Sequence, residues 1–320
     1  MKYLGGRLIH AALLLIAVSF FSFALLQLTP GDYFDAMRLN PQISAQTVHG
    51  IRSEYGMDRP LAVRYGLWLR SLIQGEFGFS FAYGGPVGPL LWVRTRNTLL
   101  LTGTATLLAW ALAIPIGIWS ASKREGWSDR AFGFATSALL TIPELLFFLC
   151  LLLLAARTGW FPAGGMISSE ASGLGFWSRV RDVSFHLFLP GSGLALVTFP
   201  ALVRHVRSAM IEALESPFIR AARGHGVSRA RVLFRYALPV ATNPLITLAG
   251  LSVGAMLSAS LLVEVILSWP GLGPLMVEAI LGRDVYVVIG VVMLSSVFLI
   301  AGNLLADVFL FASDPRIRVE

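Results

Sequence analysis

Charge is scarce in this chain. Of its 320 residues 13% are Asp, Glu, Lys or Arg, against about 25% in an ordinary soluble domain. Hydrophobic residues make up 56%, and mean hydropathy is +0.72. This composition excludes a soluble globular domain and points to a polytopic membrane protein. Cysteine is nearly absent. Cys150 alone, inside an apolar run, leaves no disulfide framework, no paired thiols and no Cys/His zinc spacing. The five histidines (His10, His49, His186, His205 and His225) are scattered and form no His-x-x-x-His pair, so a membrane enzyme has little support. The phosphate-cradling Gly-x-x-x-x-Gly-Lys-Ser/Thr loop is missing as well. The chain therefore binds no ATP in the P-loop manner and is expected to carry no cofactor, and any driving energy comes from a partner. Basic residues exceed acidic ones by 25 to 18, but the excess sits in loops, and nucleic acid is not needed to explain it.

Long apolar runs are what the chain has. A bilayer-spanning helix needs about 20 apolar residues, and six segments qualify: 8–28, 97–119, 131–156, 187–203, 245–267 and 286–311. The fourth is the shortest and holds Pro190 and Pro200. An all-α membrane protein with six transmembrane helices is expected, since no segment alternates like a barrel strand. The first run is 21 residues long and ends in a turn at Gln27–Asp32, which reads as a retained helix.

Lys and Arg set the orientation. With the N-terminus inside, the inner side carries fourteen of them and the outer side, apart from the long first loop, carries four. Both termini are thereby expected in the cytoplasm, although Arg94 and Arg96 stand against the count. In the outer loop, Ser44 is placed to cap a helix carrying Val48, Ile51 and Tyr55. Pro60 opens a second helix with Leu61, Tyr65, Trp68, Leu69 and Leu72 at helical spacing, lying on the membrane surface or capping the bundle.

The segment 204–244 is the most basic internal stretch, with seven arginines against Glu212 and Glu215. Ser216 and Pro217 suit a helix start. Phe218, Ile219, Ala221 and Ala222 offer an apolar, small-residue face for a partner. Gly226 suits a left-handed helix end. Ser228 then caps another helix, which Pro239 and Pro244 are expected to stop before the next span. The pattern reads Arg220-Ala221-Ala222-x-x-x-Gly226, nine residues, then Tyr236-x-Leu238-Pro239.

This stretch resembles the EAA loop of ABC-importer permeases, Glu-Ala-Ala-x3-Gly-x9-Ile-x-Leu-Pro, with Arg220 in place of Glu and Tyr236 in place of Ile. Further pieces are similar to the first permease subunit of dipeptide, oligopeptide and nickel importers: Arg7-Leu8, Thr29-Pro30-Gly31-Asp32, Asp58-Arg59-Pro60-Leu61 and Gly75-Glu76-Phe77-Gly78. Glu264, Trp269-Pro270-Gly271-Leu272-Gly273, Arg283-Asp284 and Asp314-Pro315-Arg316 complete the set. The resemblance covers nearly the whole chain. It implies a type I ABC importer transmembrane fold with an N-terminal helix over 1–29, an outer loop over 30–93, a five-helix transmembrane domain over 94–307 and a cytoplasmic tail over 308–320.

It also implies that Pro217, Phe218, Ile219, Arg220, Ala221, Ala222, Arg223 and Gly226 form a coupling helix docked on an ATPase. Further implied partners are a second permease subunit, one or two ATPases, and a solute-binding protein outside the inner membrane. Peptide is the first choice of solute and nickel the second.

Candidates to line a path are the intramembrane Glu144 and the small residues Gly254, Ser258, Ser295 and Ser296. The stripe Gly250, Gly254, Ser258 equally suits close helix packing. Trp269, Pro270 and Gly271 are candidates to face the binding protein. A self-contained channel would call for more ionisable residues within spans than Glu144.

Overall fold

The computed structural model describes residues 2–28, 31, 33–38, 44–169, 173 and 175–313. Thr29, Pro30, Asp32, Asp314, Pro315, Arg316 and Arg318 lie outside the described residues. In chain order the elements begin with α1 (Lys2–Leu28), α2 (Tyr33–Arg38), α3 (Ala45–Glu54) and α4 (Leu61–Ile73). A two-stranded antiparallel hairpin follows, β1 (Phe79–Ser80) and β2 (Gly85–Pro86). Then come α5 (Val87–Ser122), α6 (Trp127–Thr141), α7 (Glu144–Thr158), α8 (Phe176–Leu214) and α9 (Pro217–Gly224). The chain continues through α10 (Arg229–Arg231), a π-helical turn (Val232–Ala237), α11 (Leu238–Ile266), α12 (Leu272–Leu281) and α13 (Val285–Ser313).

Among the described residues five helical stretches are long and apolar enough to cross a bilayer: Gly5–Leu26, Val87–Ser122, Phe176–Leu214, Arg229–Ile266 and Val285–Phe311. The expected third span is instead the pair α6 and α7, which meet at 93°. Counting the pair as one span restores six. The break falls at Ile142, which is extended at φ −80, ψ 120, just before Pro143. Proline disfavours the helical conformation in the residue before it and lacks an N–H.

Two further expectations are corrected. The fourth span is not short: α8 runs for 39 residues with Pro190 and Pro200 both buried inside it. Buried transmembrane helices tolerate proline because neighbouring helices and local adjustments satisfy the freed carbonyls. Nor do Pro239 and Pro244 stop a helix before the fifth span, because Arg229–Ile266 is one helical stretch. The π turn closes with Leu238 N–H donating to Leu233 O. That wider register sets Pro239 in the first turn of α11, where its missing N–H costs little.

By contact the chain forms two units, Met1–Thr98 with Pro270–Ile300, and Leu99–Trp269 with Ala301–Glu320. The first holds the loop helices. Ser44 Oγ accepts from Thr47 N at 3.1 Å, as its capping role requires, and Val48 is fully buried. Trp68 of α4 packs with Phe23, Ile289 and Met293, and Leu61, Tyr65, Leu69 and Leu72 surround them. The apolar face of α4 thus packs onto α1 and α13. Gly78, at φ +105, lies against the ring of Tyr286.

Asp284 organises this unit. Its buried carboxylate accepts from Ser80 Oγ at 2.6 Å and Ala82 N at 3.2 Å, and from Val287 N at 3.4 Å in the first turn of α13. Removing it leaves buried donors unpaired and a helix uncapped, which costs about 2–4 kcal/mol. Asp284→Ala is therefore expected to lower the thermal stability of the purified protein clearly more than Asp284→Asn, and equal melting temperatures would contradict this. Nearby, the Tyr83 hydroxyl donates to Glu278, and its pKa is pushed up to about 12 by burial first and then by that carboxylate.

The second unit has two apolar cores. One joins Leu101, Ala105, Ala109 and Ala113 of α5 to Phe148 of α7, Leu194 of α8 and Met256 and Val263 of α11. The other gathers Ile118, Val206, Met210, Ile219, Val232 and Leu245. Small residues allow the closest crossings. A Cβ on Gly117 would lie 2.6 Å from Val206 Cγ1, and one on Gly250 would lie 2.3 Å from Ala306 Cβ. Gly117 thus lets α5 approach α8 closely. Gly250 belongs to a seam with this chain's own α13, so the packing reading holds for it.

Candidate functional site

The loop between α8 and α10 is built residue by residue as a protruding helix. Pro217 occupies its first turn. Ser216 has the extended backbone of an N-cap, but its hydroxyl donates back to Ala213 O at 2.7 Å and caps nothing in α9. The far end closes with Gly226 at φ +76. His225 N donates to Ala221 O at 3.1 Å, Gly226 N to Arg223 O at 3.0 Å and Val227 N to Ala222 O at 3.2 Å. This is the left-handed closure that favours glycine.

The helix has an inside and an outside. Ile219 is fully buried in the chain's own core, so it anchors α9 and does not face a partner, which corrects the expectation for that residue. Phe218 is 48% exposed, Arg220, Ala221, Arg223 and Gly226 are exposed, and Ala222 is half-buried. An eight-residue helix pinned by one isoleucine thus presents Phe218 and Ala221 outward, one turn apart.

Beneath α9 lies a polar clamp that the sequence pattern did not reveal. Arg207 of α8 grips Asp129 of α6 with both forks, Nε to Oδ1 at 2.7 Å and Nη2 to Oδ2 at 2.8 Å. Ser120 of α5 also donates to this carboxylate, as does Glu125 N at 3.0 Å. Glu125 takes φ +66 to do so. Arg124 pairs with Glu215, and Arg229 donates to the Ser122 carbonyl. The 122–126 turn is thereby fastened to both ends of the α9 loop. The only local signals were single charges flanking apolar runs, because Asp129 and Arg207 stand 78 residues apart.

The path candidates separate. Gly254 is buried within α11, and Ser258, one turn on, is exposed. Glu144 is exposed at the start of α7, beside the break after α6. Ser295 and Ser296 are half-buried on α13, where Ser296 Oγ donates to Val292 O at 2.9 Å. Gly250, Ser252 and Gly254 also stand in a Gly-x-Ser-x-Gly spacing. Its placement does not suit a nucleophile, which needs a sharp strand-to-helix turn. Ser252 is mid-helix, donating to Ala249 O at 2.7 Å and accepting from Trp110 Nε1 at 3.2 Å.

The turn after α11 is corrected too. Trp269 and Gly271 are buried and Pro270 is half-buried. Trp269 N donates to Glu264 O at 2.9 Å, Asn97 Nδ2 to Pro270 O at 2.7 Å, and Leu272 N to Thr98 Oγ1 at 2.9 Å. A rigid turn carrying a large apolar ring buries it, so this segment braces the fold and is not an open docking face. Nearby on α12, Ile280 and Leu281 are exposed at 51% and 80%.

Other motif residues have structural roles. Gly31 sits against the Arg283 guanidinium, and Asp58 accepts from Arg52 Nε at 2.8 Å.

Comparison with known proteins agrees with this arrangement. The family described as "Binding-protein-dependent transport system inner membrane component" matches residues 113–319, and its N-terminal companion matches residues 1–89. The chain is 35% identical over 318 residues to the oligopeptide transport system permease protein AppB of Bacillus subtilis, covering 99% of each. It is 31% identical over 325 residues to OppB of Mycobacterium tuberculosis, covering 100% of this chain and 99% of that one. Among solved structures, the MetNI methionine ABC transporter superposes with a TM-score of 0.58 at 16% identity, over 70% of this chain and 96% of that one, a likeness of fold. With α9 protruding between α8 and the helix that leads into α11, and with both family segments matched, the chain belongs to the binding-protein-dependent transport system inner membrane components.

Proposed function

We infer that this chain is the transmembrane permease subunit of an ATP-driven peptide importer. The observation that carries the reading is its full-length likeness to oligopeptide permeases. Those relatives favour peptide over nickel as the solute. The chain acts with a second permease in the bacterial inner membrane, with both termini and α9 on the cytoplasmic side. It is not itself an enzyme, and it binds no ATP. ATPase subunits dock on α9, and a solute-binding protein delivers peptide to the opposite face, where residues 44–81 and α12 offer surface.

The mechanism follows from how α9 is held. Ile219 fixes it to the core shared by α5, α8 and α11. The Arg207–Asp129 clamp joins the ends of α5, α6 and α8 beneath it. Motion of a docked ATPase therefore moves these helices together, and the unbroken helix from Arg229 carries it to α11. This is a route for alternating access. A peptide cannot cross about 30 Å of hydrocarbon unaided, so the helices must enclose a wet path. Ser258 and Glu144, both exposed, are its best-placed lining groups, Gly254 contributes room, and Ser295 and Ser296 on α13 are further candidates.

In a Cys150-free background, Ser258→Cys is expected to react with a small water-soluble thiol reagent at a rate that changes with nucleotide. Gly254→Cys should react far more slowly. No labelling of Ser258→Cys in either state, or labelling indifferent to nucleotide, would remove α11 from the path. The function itself is tested by uptake of a labelled oligopeptide in cells lacking this gene. Restored, ATP-dependent uptake on complementation is expected; restored nickel uptake without peptide uptake would overturn the peptide assignment.

A further inference from the structure

We propose that the ATPase surface receiving α9 is acidic, and that one of its carboxylates enters a notch beside the helix between Arg223 and Arg229. The proposal rests on the docking reading above and adds the chemistry of the partner. From Ser216 to Ala237 the chain carries Arg220, Arg223, Arg229, Arg231 and Arg235 and no acidic residue. All five are exposed. Among the described residues Arg229 reaches only a neutral carbonyl, and Arg220, Arg223, Arg231 and Arg235 form no ion pair.

Beside α9 lies a cavity of 520 Å³ with an apolar floor at Leu214, Val232 and Leu233. Its rim carries Arg124, Arg223, Arg229 and Glu215. Glu215 already neutralises Arg124. Two guanidinium forks are left facing a space large enough for a side chain, and a carboxylate there would take charge-assisted hydrogen bonds. Arg220 lies on the exposed side of α9, where the resembled motif carries Glu, so the charge offered to the socket is reversed at that point. An apolar centre at Phe218 and Ala221 ringed by arginines has the anatomy of a protein interface. A lipid-binding helix would instead turn that apolar face to the hydrocarbon.

The test uses the whole complex: both permeases in nanodiscs of zwitterionic lipid, titrated with the ATPase subunits from low to high salt. Wild-type affinity should fall steeply as salt screens the contact. Arg220→Glu with Arg223→Glu should weaken binding by about tenfold or more at low salt and flatten the salt dependence. Lysine in place of the facing Asp or Glu of the ATPase should restore binding to that variant. Variants that elute and melt like wild type exclude misfolding. Unchanged, salt-insensitive binding in the double variant would overturn the acidic socket while leaving α9 as the docking element. A defect seen only in anionic lipid would assign the arginines to phospholipid and also overturn it. If the ATPase binds normally to a chain lacking α9, the docking reading falls and the acidic socket falls with it.

Discussion

Gly226→Val is expected to abolish solute-stimulated ATP hydrolysis while leaving the chain inserted in the membrane. Gly226 sits at φ +76, where an L-residue pays about 1–2 kcal/mol and a β-branched one more. The backbone hydrogen bond that closes α9, from Val227 N to Ala222 O at 3.2 Å, depends on that conformation. Valine would unwind this closure and swing the exposed face of α9 out of line. Open space surrounds Gly226, so the effect is conformational and not a clash. Gly226→Asn, which tolerates the left-handed region, should therefore keep most of the coupling. Ala222→Glu should uncouple as well, because it sets a large charged side chain on the half-buried, small-residue part of α9. Normal coupling in both Gly226→Val and Ala222→Glu would remove the docking role from α9.

The second large effect is expected at Asp129. Its side chain is 7% exposed and bonds to Arg207, Ser120 and the Glu125 N–H. Breaking a fully buried ion pair from one side costs about 3–5 kcal/mol. Arg207 is 35% exposed, so water screens part of that loss, and about 2–3 kcal/mol is the fair expectation for Asp129→Ala. A double-mutant cycle with Arg207→Ala should show strong coupling, the double variant being little worse than Asp129→Ala alone. Simple additivity would mean that the two residues act independently. Because the clamp ties three helices beneath α9, uncoupled ATP hydrolysis should accompany the loss of stability.

Much of this was legible in the residues themselves. Apolar length marked the spans, Ser44 and Pro217 marked helix starts, and Gly226 marked a left-handed end. What was hidden depended on tertiary context. In a helix as short as α9 periodicity does not say which face turns inward, so Ile219 read as part of the partner face. Pro239 read as a stop because its tolerance depends on a π turn, which no local propensity encodes. The Trp-Pro-Gly sequence at 269–271 read as an exposed turn, since turn residues usually lie at the surface. Here the tryptophan ring fills the core. The Arg207–Asp129 clamp joins residues far apart in sequence, and nothing local marks either as the other's partner.

Cysteine scanning along α9 in a Cys150-free chain, with oxidative cross-linking to the ATPase subunits, reads the docking face position by position. Cross-links from Phe218 and Ala221, at a yield that changes with nucleotide, and none from Ile219, are expected. No cross-link from Phe218 or Ala221, or capture of the ATPase from residues 44–81 instead, would contradict both the docking role and the orientation of the chain in the membrane.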